Sequence, residues 1–144
     1  MPSAPLPPGV EAIVRRPNPA VIASVRSDGT PHTAATWYDW EDGRALLNMD
    51  ASRLRLRLLR RNPAVSLTIL DDRSWYRHVT LVGRLEEVRD DEGLHDIDRL
   101  ALRYTGAPYP DRGHHRVSAW MAVTSWHGWD ATGAIATHAD LQAV

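Results

Sequence analysis

The chain has 144 residues, the size of one domain, with 43% hydrophobic and 24% charged residues and a formal net charge of -1; it can build one core, and it carries no overall field to draw in nucleic acid or an anionic membrane. It has no cysteine, which excludes disulfides, thiolate metal sites and a cysteine nucleophile, and all 17 basic side chains are arginine, which excludes a lysine Schiff base. No apolar run reaches the ~18 residues of a membrane-spanning helix, and the opening MPSAPLPPG lacks the basic-then-apolar order of a secretory signal, so the cytoplasm is the expected compartment.

Residues 1–9 are proline-rich and read as an irregular arm. A short helix or extended piece is expected from Val10 to Arg16, and Asn18-Pro19 punctuates it. Ala20 to Val25 is an apolar, β-branched strand, and Ser27-Asp28-Gly29-Thr30 after it is a hairpin signal. The return strand is expected from Pro31 to Tyr38, with His32, Ala34 and Thr36 on one face and Thr33, Ala35 and Trp37 on the other. Glu41-Asp42-Gly43 is a second turn and Ala45 to Met49 a third strand, which makes a three-stranded antiparallel meander. The segment DASRLRLRLLRRN, from Asp50 to Asn62, alternates Arg and Leu like a strand but has the composition of a helix, with Asp50 or Ser52 as cap and Asn62-Pro63 as stop. The alternation breaks at Leu58-Leu59, which selects the helix, with Leu54, Leu58 and Leu59 docking inward.

Ala64 to Leu70 is a fourth strand, and Asp71 to Ser74 a loop. Trp75 to Val88 is a long strand in which Gly83 marks a bulge or a barrel corner. Seven acidic residues between Glu86 and Asp98 overlap a helix whose apolar face carries Leu94, Ile97, Ala101 and Tyr104, so the acids are expected on a solvated face. Gly106 to Pro110 ends that helix, Val117 to Trp126 is the last strand, the stretch from His127 is poorly patterned, and residues 131–144 form a tail. The sum is a mainly β domain over residues 10–130, an antiparallel barrel of six strands with two or more short helices.

Arg53, Arg55, Arg57, Arg60 and Arg61 are the strongest chemical signal. Guanidinium forks match phosphate or carboxylate, and a helix start adds its unpaired N–H groups. On a helix Arg53 and Arg57 share a face and Arg55 does not, so all five cannot serve one anion. A basic solvated face, or a partner for the acidic segment 86–98, is the alternative. The cluster is too local in a neutral protein for nucleic acid to be expected. The histidines at 32, 78, 95, 114, 115, 127 and 138 show no ligand spacing, and no metal site is expected. No serine-hydrolase elbow, nucleotide-phosphate loop or dinucleotide fingerprint is present. Asp71-Asp72 and Asp90-Asp91 read as exposed turns. Trp37, Trp40, Trp75, Tyr76, Trp126 and Trp129 are able to wall a flat heterocycle, and equally to fill a core or a dimer interface.

The order of these segments resembles the pyridoxamine 5'-phosphate oxidase-like split-barrel family, and more closely its branch that uses the deazaflavin coenzyme F420. The resemblance lies in AVIASVRSDGTPHTAATWYDWEDGRALLNM, SRLRLRLLRRNPAVSLTI, WYRHVTLVGRLEEV, YTGAPYP, and a late strand ending in a turn at Trp126-His127-Gly128-Trp129, together spanning about residues 15–130. It implies a homodimer with the cofactor in a groove between subunits. The cofactor phosphate would lie at the helix start against Arg53 and Arg55, with Arg57 nearby; the family's usual lysine at the Arg55 position and its frequent asparagine at the Leu58 position are both replaced here. Thr36, Trp37, Asp50, Ala51 and Ser52 would line the pocket, and Tyr76, Arg77, Trp126 and Trp129 would reach across the dimer. The implied activity is hydride transfer between reduced F420 and a small organic acceptor; no side chain stands out as the acid, so the proton is expected from water, with Tyr76 and His78 the side-chain candidates. FMN is the alternative cofactor, and a non-catalytic carrier of cofactor or hydrophobic ligand the alternative role.

Overall fold

The computed structural model describes residues 4–130. A short helix, α1 (Pro8–Val14), buries Val10, Ile13 and Val14. The Asp-Gly signal then does what its chemistry dictates: Gly29 sits at φ +88 and the Thr30 N–H donates to Asp28 Oδ1 at 2.9 Å. This turn joins β1 (Ala20–Val25) to β2 (Pro31–Thr36), and His32, Ala34 and Thr36 share the less exposed face as expected.

The return strand ends two residues early, and Asp39–Glu41 forms a separate short strand, β3. With β4 (Arg44–Asp50), β5 (Ala64–Leu70), β6 (Arg77–Asp90) and β7 (Arg116–Asp130) the sheet has seven strands, in the order β2-β1-β5-β6-β7-β4-β3. All pairings are antiparallel. The expected meander is corrected here: β4 pairs with β7, not with β2. The reason is a corner. β2 and β3 are the two ends of the sheet order, yet only Trp37 and Tyr38 separate them in sequence. Three backbone steps reach at most about 11 Å, so the sheet must curl until its ends meet, which is a barrel. Tyr38 at that corner is wholly buried, its hydroxyl 2.7 Å from Val14 O and 3.0 Å from Arg16 O.

The ambiguous Arg/Leu segment is helical, α2 (Leu54–Arg61), and buries Leu56, Leu58 and Leu59, with Leu54 only half-buried. Neither Asp50 nor Ser52 caps it. Asp50 Oδ1 instead accepts the Ser52 N–H at 2.8 Å and the Ser52 hydroxyl at 2.6 Å, and the helix begins after Arg53 with no side-chain cap. Two of the acids expected at the surface are buried. Asp71 is 3% exposed because it accepts the Arg73 N–H and faces Arg16 and Arg77 at 3.5 and 3.4 Å. Asp91 is 6% exposed because it caps α3 (His95–Thr105) across the intervening 3-10 turn Glu92–Leu94: its Oδ1 and Oδ2 accept the N–H groups of Asp96 and Ile97 at 2.8 and 2.9 Å. β7 runs four residues beyond Trp126, so no turn occurs at Trp126–Trp129. The core inside the barrel includes Ile22, Leu47, Leu67, Val79, Met121 and Trp126. Among the described residues no helix is long and apolar enough to cross a membrane.

Candidate functional site

A cleft of roughly 470 Å³ opens beside the corner where the barrel ends meet. The end of β2 contributes Ala35, Thr36 and Trp37, and the loop before β1 contributes Pro17 and Pro19. Helix α3 supplies Ile97, Leu100 and Tyr104, Tyr109 follows it, and Asn48, Arg55 and Arg116 close the polar end. Trp37 is set by stacking on Tyr104, with centroids 5.4 Å apart and planes 9° apart, and by the edge of Tyr109 at 6.1 Å. Tyr104 is itself anchored, its hydroxyl donating to Asn18 O at 2.7 Å, and burial pushes its pKa up to about 12.

The two arginines decide the electrostatics. Arg55 has a buried Nε without an acceptor, and its Nη1 reaches Ala35 O only at 3.5 Å. Desolvation, with Arg53 and Arg116 nearby, holds its pKa below the ordinary arginine value, though it stays charged at any biological pH. Arg116 is 9% exposed, lies over the Tyr109 ring at 4.8 Å and donates through Nε to Asn48 Oδ1 at 2.8 Å. Among the described residues neither arginine forms a salt bridge. A half-buried and a buried guanidinium side by side, neither held in a salt bridge, repel each other and are costly to desolvate, and an anionic group in the cleft would relieve both.

Of the residues expected from sequence, Thr36, Trp37 and Arg55 line this cleft. Asp50, Ala51, Ser52 and Arg53 at the approach to α2, and Arg57 within it, stand outside the lining; Arg53 and Arg57 are exposed and Arg57 Nη1 donates to Ser52 O at 3.2 Å. Tyr76, Arg77, His78, Trp126 and Trp129 do not line it. Trp126 is 1% exposed in the barrel core, and Arg77 faces Asp71 and Asp130. Trp75 and Tyr76 stack on each other at 4.5 Å and stand 63% and 57% exposed, with Trp129 at 40%. His78 Nδ1 lies 3.2 Å from Trp75 O. Sequence reasoning missed Asn48, Tyr104, Tyr109 and Arg116; the YTGAPYP motif contained the two tyrosines without showing what they face. Among the described residues no three His, Asp or Glu side chains group as metal ligands.

The family model described as pyridoxamine 5'-phosphate oxidase matches residues 6–130. The chain belongs to this family. None of the curated proteins matches the sequence. Among solved structures, an F420 reductase is similar, at 29% identity and a TM-score of 0.76, over 84% of this chain and 98% of that one. A conserved hypothetical protein from Mycobacterium tuberculosis is 26% identical with a TM-score of 0.67, over 89% of this chain and 86% of that one. A pyridoxamine 5'-phosphate oxidase-like protein from Listeria innocua, 17% identical with a TM-score of 0.59 over 83% and 94% of the two chains, shares the fold. The fold is therefore the split barrel of the pyridoxamine 5'-phosphate oxidase-like family, with seven strands because β3 is separate from β2.

Proposed function

We propose that the cleft holds the phosphate-bearing part of a flavin-type cofactor, coenzyme F420 ahead of FMN, and that the protein is an oxidoreductase passing hydride between the reduced cofactor and a small organic acceptor. The observation that carries this reading is a pair of arginines in no salt bridge, half-buried Arg55 with an unpaired Nε and buried Arg116, at one end of a cleft walled by Trp37. An anion at one end and a flat ring along the other is the shape of a ring–ribityl phosphate. The preference for F420 rests on the similarity to an F420 reductase.

When bound, the cofactor supplies the hydride. The protein's own residues bind and orient it, and the apolar side chains of Ile97 and Leu100 keep that part of the cleft dry. The cleft lining contains no carboxylate and no histidine, and the Tyr104 proton is committed to Asn18 O. That leaves water or the Tyr109 hydroxyl to supply the proton that accompanies hydride. This reading extends to a homodimer in which Trp75, Tyr76 and Trp129, exposed on one protomer, meet a second copy and complete the ring site; exposed aromatic side chains of this size favour such burial.

Replacing Arg55 by Ala is expected to weaken cofactor binding by about 10- to 100-fold, the scale of a lost charge-assisted contact, while the melting temperature holds or rises because an unpaired Nε and the repulsion from Arg53 and Arg116 are removed. Unchanged affinity would place the phosphate elsewhere. Turnover is tested by mixing the protein with reduced F420 and a panel of quinone, enone and imine acceptors and following reoxidation of the coenzyme. Tight binding with no acceptor turned over would make the protein a carrier.

A further inference from the structure

Arg116 is not merely a second positive charge in the cleft; it is held in one orientation by a buried polar relay. Its Nε donates to Asn48 Oδ1 at 2.8 Å, and the Tyr109 ring covers the guanidinium at 4.8 Å. Asn48, 4% exposed, spends both amide protons elsewhere: one on Asp91 Oδ2 at 2.9 Å and one on Ser118 Oγ at 3.1 Å. Ser118 in turn donates to Asp96 Oδ2 at 2.6 Å. Asp91 is the same carboxylate that accepts the first-turn N–H groups of Asp96 and Ile97. The chain of bonds thus runs from the start of α3 through Asp91 and Asn48 to the guanidinium, without a gap.

A guanidinium has five N–H donors in a rigid fork. Tying Nε sideways fixes the plane and leaves the Nη pair as the part of Arg116 that remains to meet a ligand in the cleft. Nε also satisfies the buried Asn48 Oδ1, so the relay serves packing at the start of β7 and aims the guanidinium at once. The Asn48 orientation is fixed too. Rotating its amide by half a turn would point the NH2 at Arg116 Nε and the oxygen at the Asp91 carboxylate, so one amide state satisfies both neighbours.

We infer that Asn48 and Asp91 are positioning residues of the cleft's anion site: they hold the Arg116 Nη fork toward the phosphate that Arg55 also meets and couple its orientation to the docking of α3. This rests on the cofactor reading above for the identity of the ligand, though not for the presence of an anion site.

Discrimination comes from comparing a phosphorylated ligand with its phosphate-free counterpart. Whichever of F420 and FMN the wild type binds is titrated beside the corresponding ring–ribityl compound without phosphate. Arg116→Gln is expected to weaken the phosphorylated ligand by about 10- to 100-fold and the phosphate-free one by less than about twofold. Asn48→Ala is expected to do the same through the loosened fork, with far-UV circular dichroism unchanged. Arg116→Lys keeps the charge but not the tie to Asn48 or the fork, and is expected to recover only part of the affinity. Equal weakening of both ligands, or no weakening, overturns the assignment, and full rescue by lysine overturns the positioning role. Should wild type bind neither cofactor, the cofactor reading fails by itself. The anion site is then read by the thermal shift that pyrophosphate gives to wild type: loss of the shift in Arg116→Gln sustains the inference, and no shift in wild type ends it.

Discussion

Replacing Gly83 by Ala is expected to leave little folded protein, with a loss of about 3 to 5 kcal/mol. A Cβ at Gly83 would lie 1.8 Å from the Ala122 carbonyl oxygen and 2.9 Å from its carbon. Both are backbone atoms of β7, so no side chain can swing aside. The crowding comes from the register shift beside this residue, where Val82 pairs with Ser125 but Gly83 with Val123. The extra residue kinks the long β6–β7 ladder and brings the strands too close for any side chain at Gly83. Chemical denaturation of Gly83→Ala, or its yield as soluble protein, reads the effect. A protein as stable as wild type would mean that the bulge lies elsewhere.

Arg103→Ala is expected to cost about 3 kcal/mol and to weaken cofactor binding although Arg103 does not line the cleft. Its three nitrogens each hold a main-chain carbonyl: Nε donates to Tyr38 O at 3.0 Å, Nη1 to Arg15 O at 2.8 Å and Nη2 to Arg16 O at 2.8 Å. Asp39 balances the charge at 3.3 Å, and the side chain is only 16% exposed. One residue of α3 therefore clamps both the barrel corner and the loop that carries Pro17 and Pro19 into the cleft. Removing it leaves carbonyls to find water and frees one cleft wall from the helix. Lysine cannot replace it, because one ammonium cannot span three diverging carbonyls. Thermal melts and titrations of Arg103→Ala and Arg103→Lys should fall together; a melt near wild type in Arg103→Ala would contradict the clamp.

How far the sequence carried depended on whether the deciding partner was near or far along the chain. β1 and β5 were legible to the residue, because apolar runs bounded by Asn18-Pro19, Asp28-Gly29 and Asn62-Pro63 leave little choice of limits. The Gly83 bulge was legible from a glycine inside a long strand. β3 was not, since Asp-Trp-Glu has no strand pattern of its own and exists through its hydrogen bonds to β4. Asp91 looked like a surface turn because the helix it caps begins four residues later, beyond Gly93 and a left-handed Leu94. In the cleft, Arg55 was readable from the Arg cluster itself, whereas Thr36 and Trp37 were placed in the pocket only through the family resemblance. Arg116 opens an apolar strand and reads as a solvated end. Its meaning lies in Asn48, 68 residues away, and in a tyrosine on another loop. The resemblance also drew attention to Trp126 as a ring contact, and the inward-facing register of β7 puts it in the core instead.

The central claim is that Arg55, Arg116 and Trp37 form an anion-and-ring site for a phosphorylated flavin-type cofactor. Fluorescence titration of the wild-type protein with F420, FMN and riboflavin tests it most directly. The expected result is saturable binding of F420, weaker binding of FMN and much weaker binding of riboflavin; equal binding of riboflavin and FMN, or no binding of either phosphorylated compound, would contradict it.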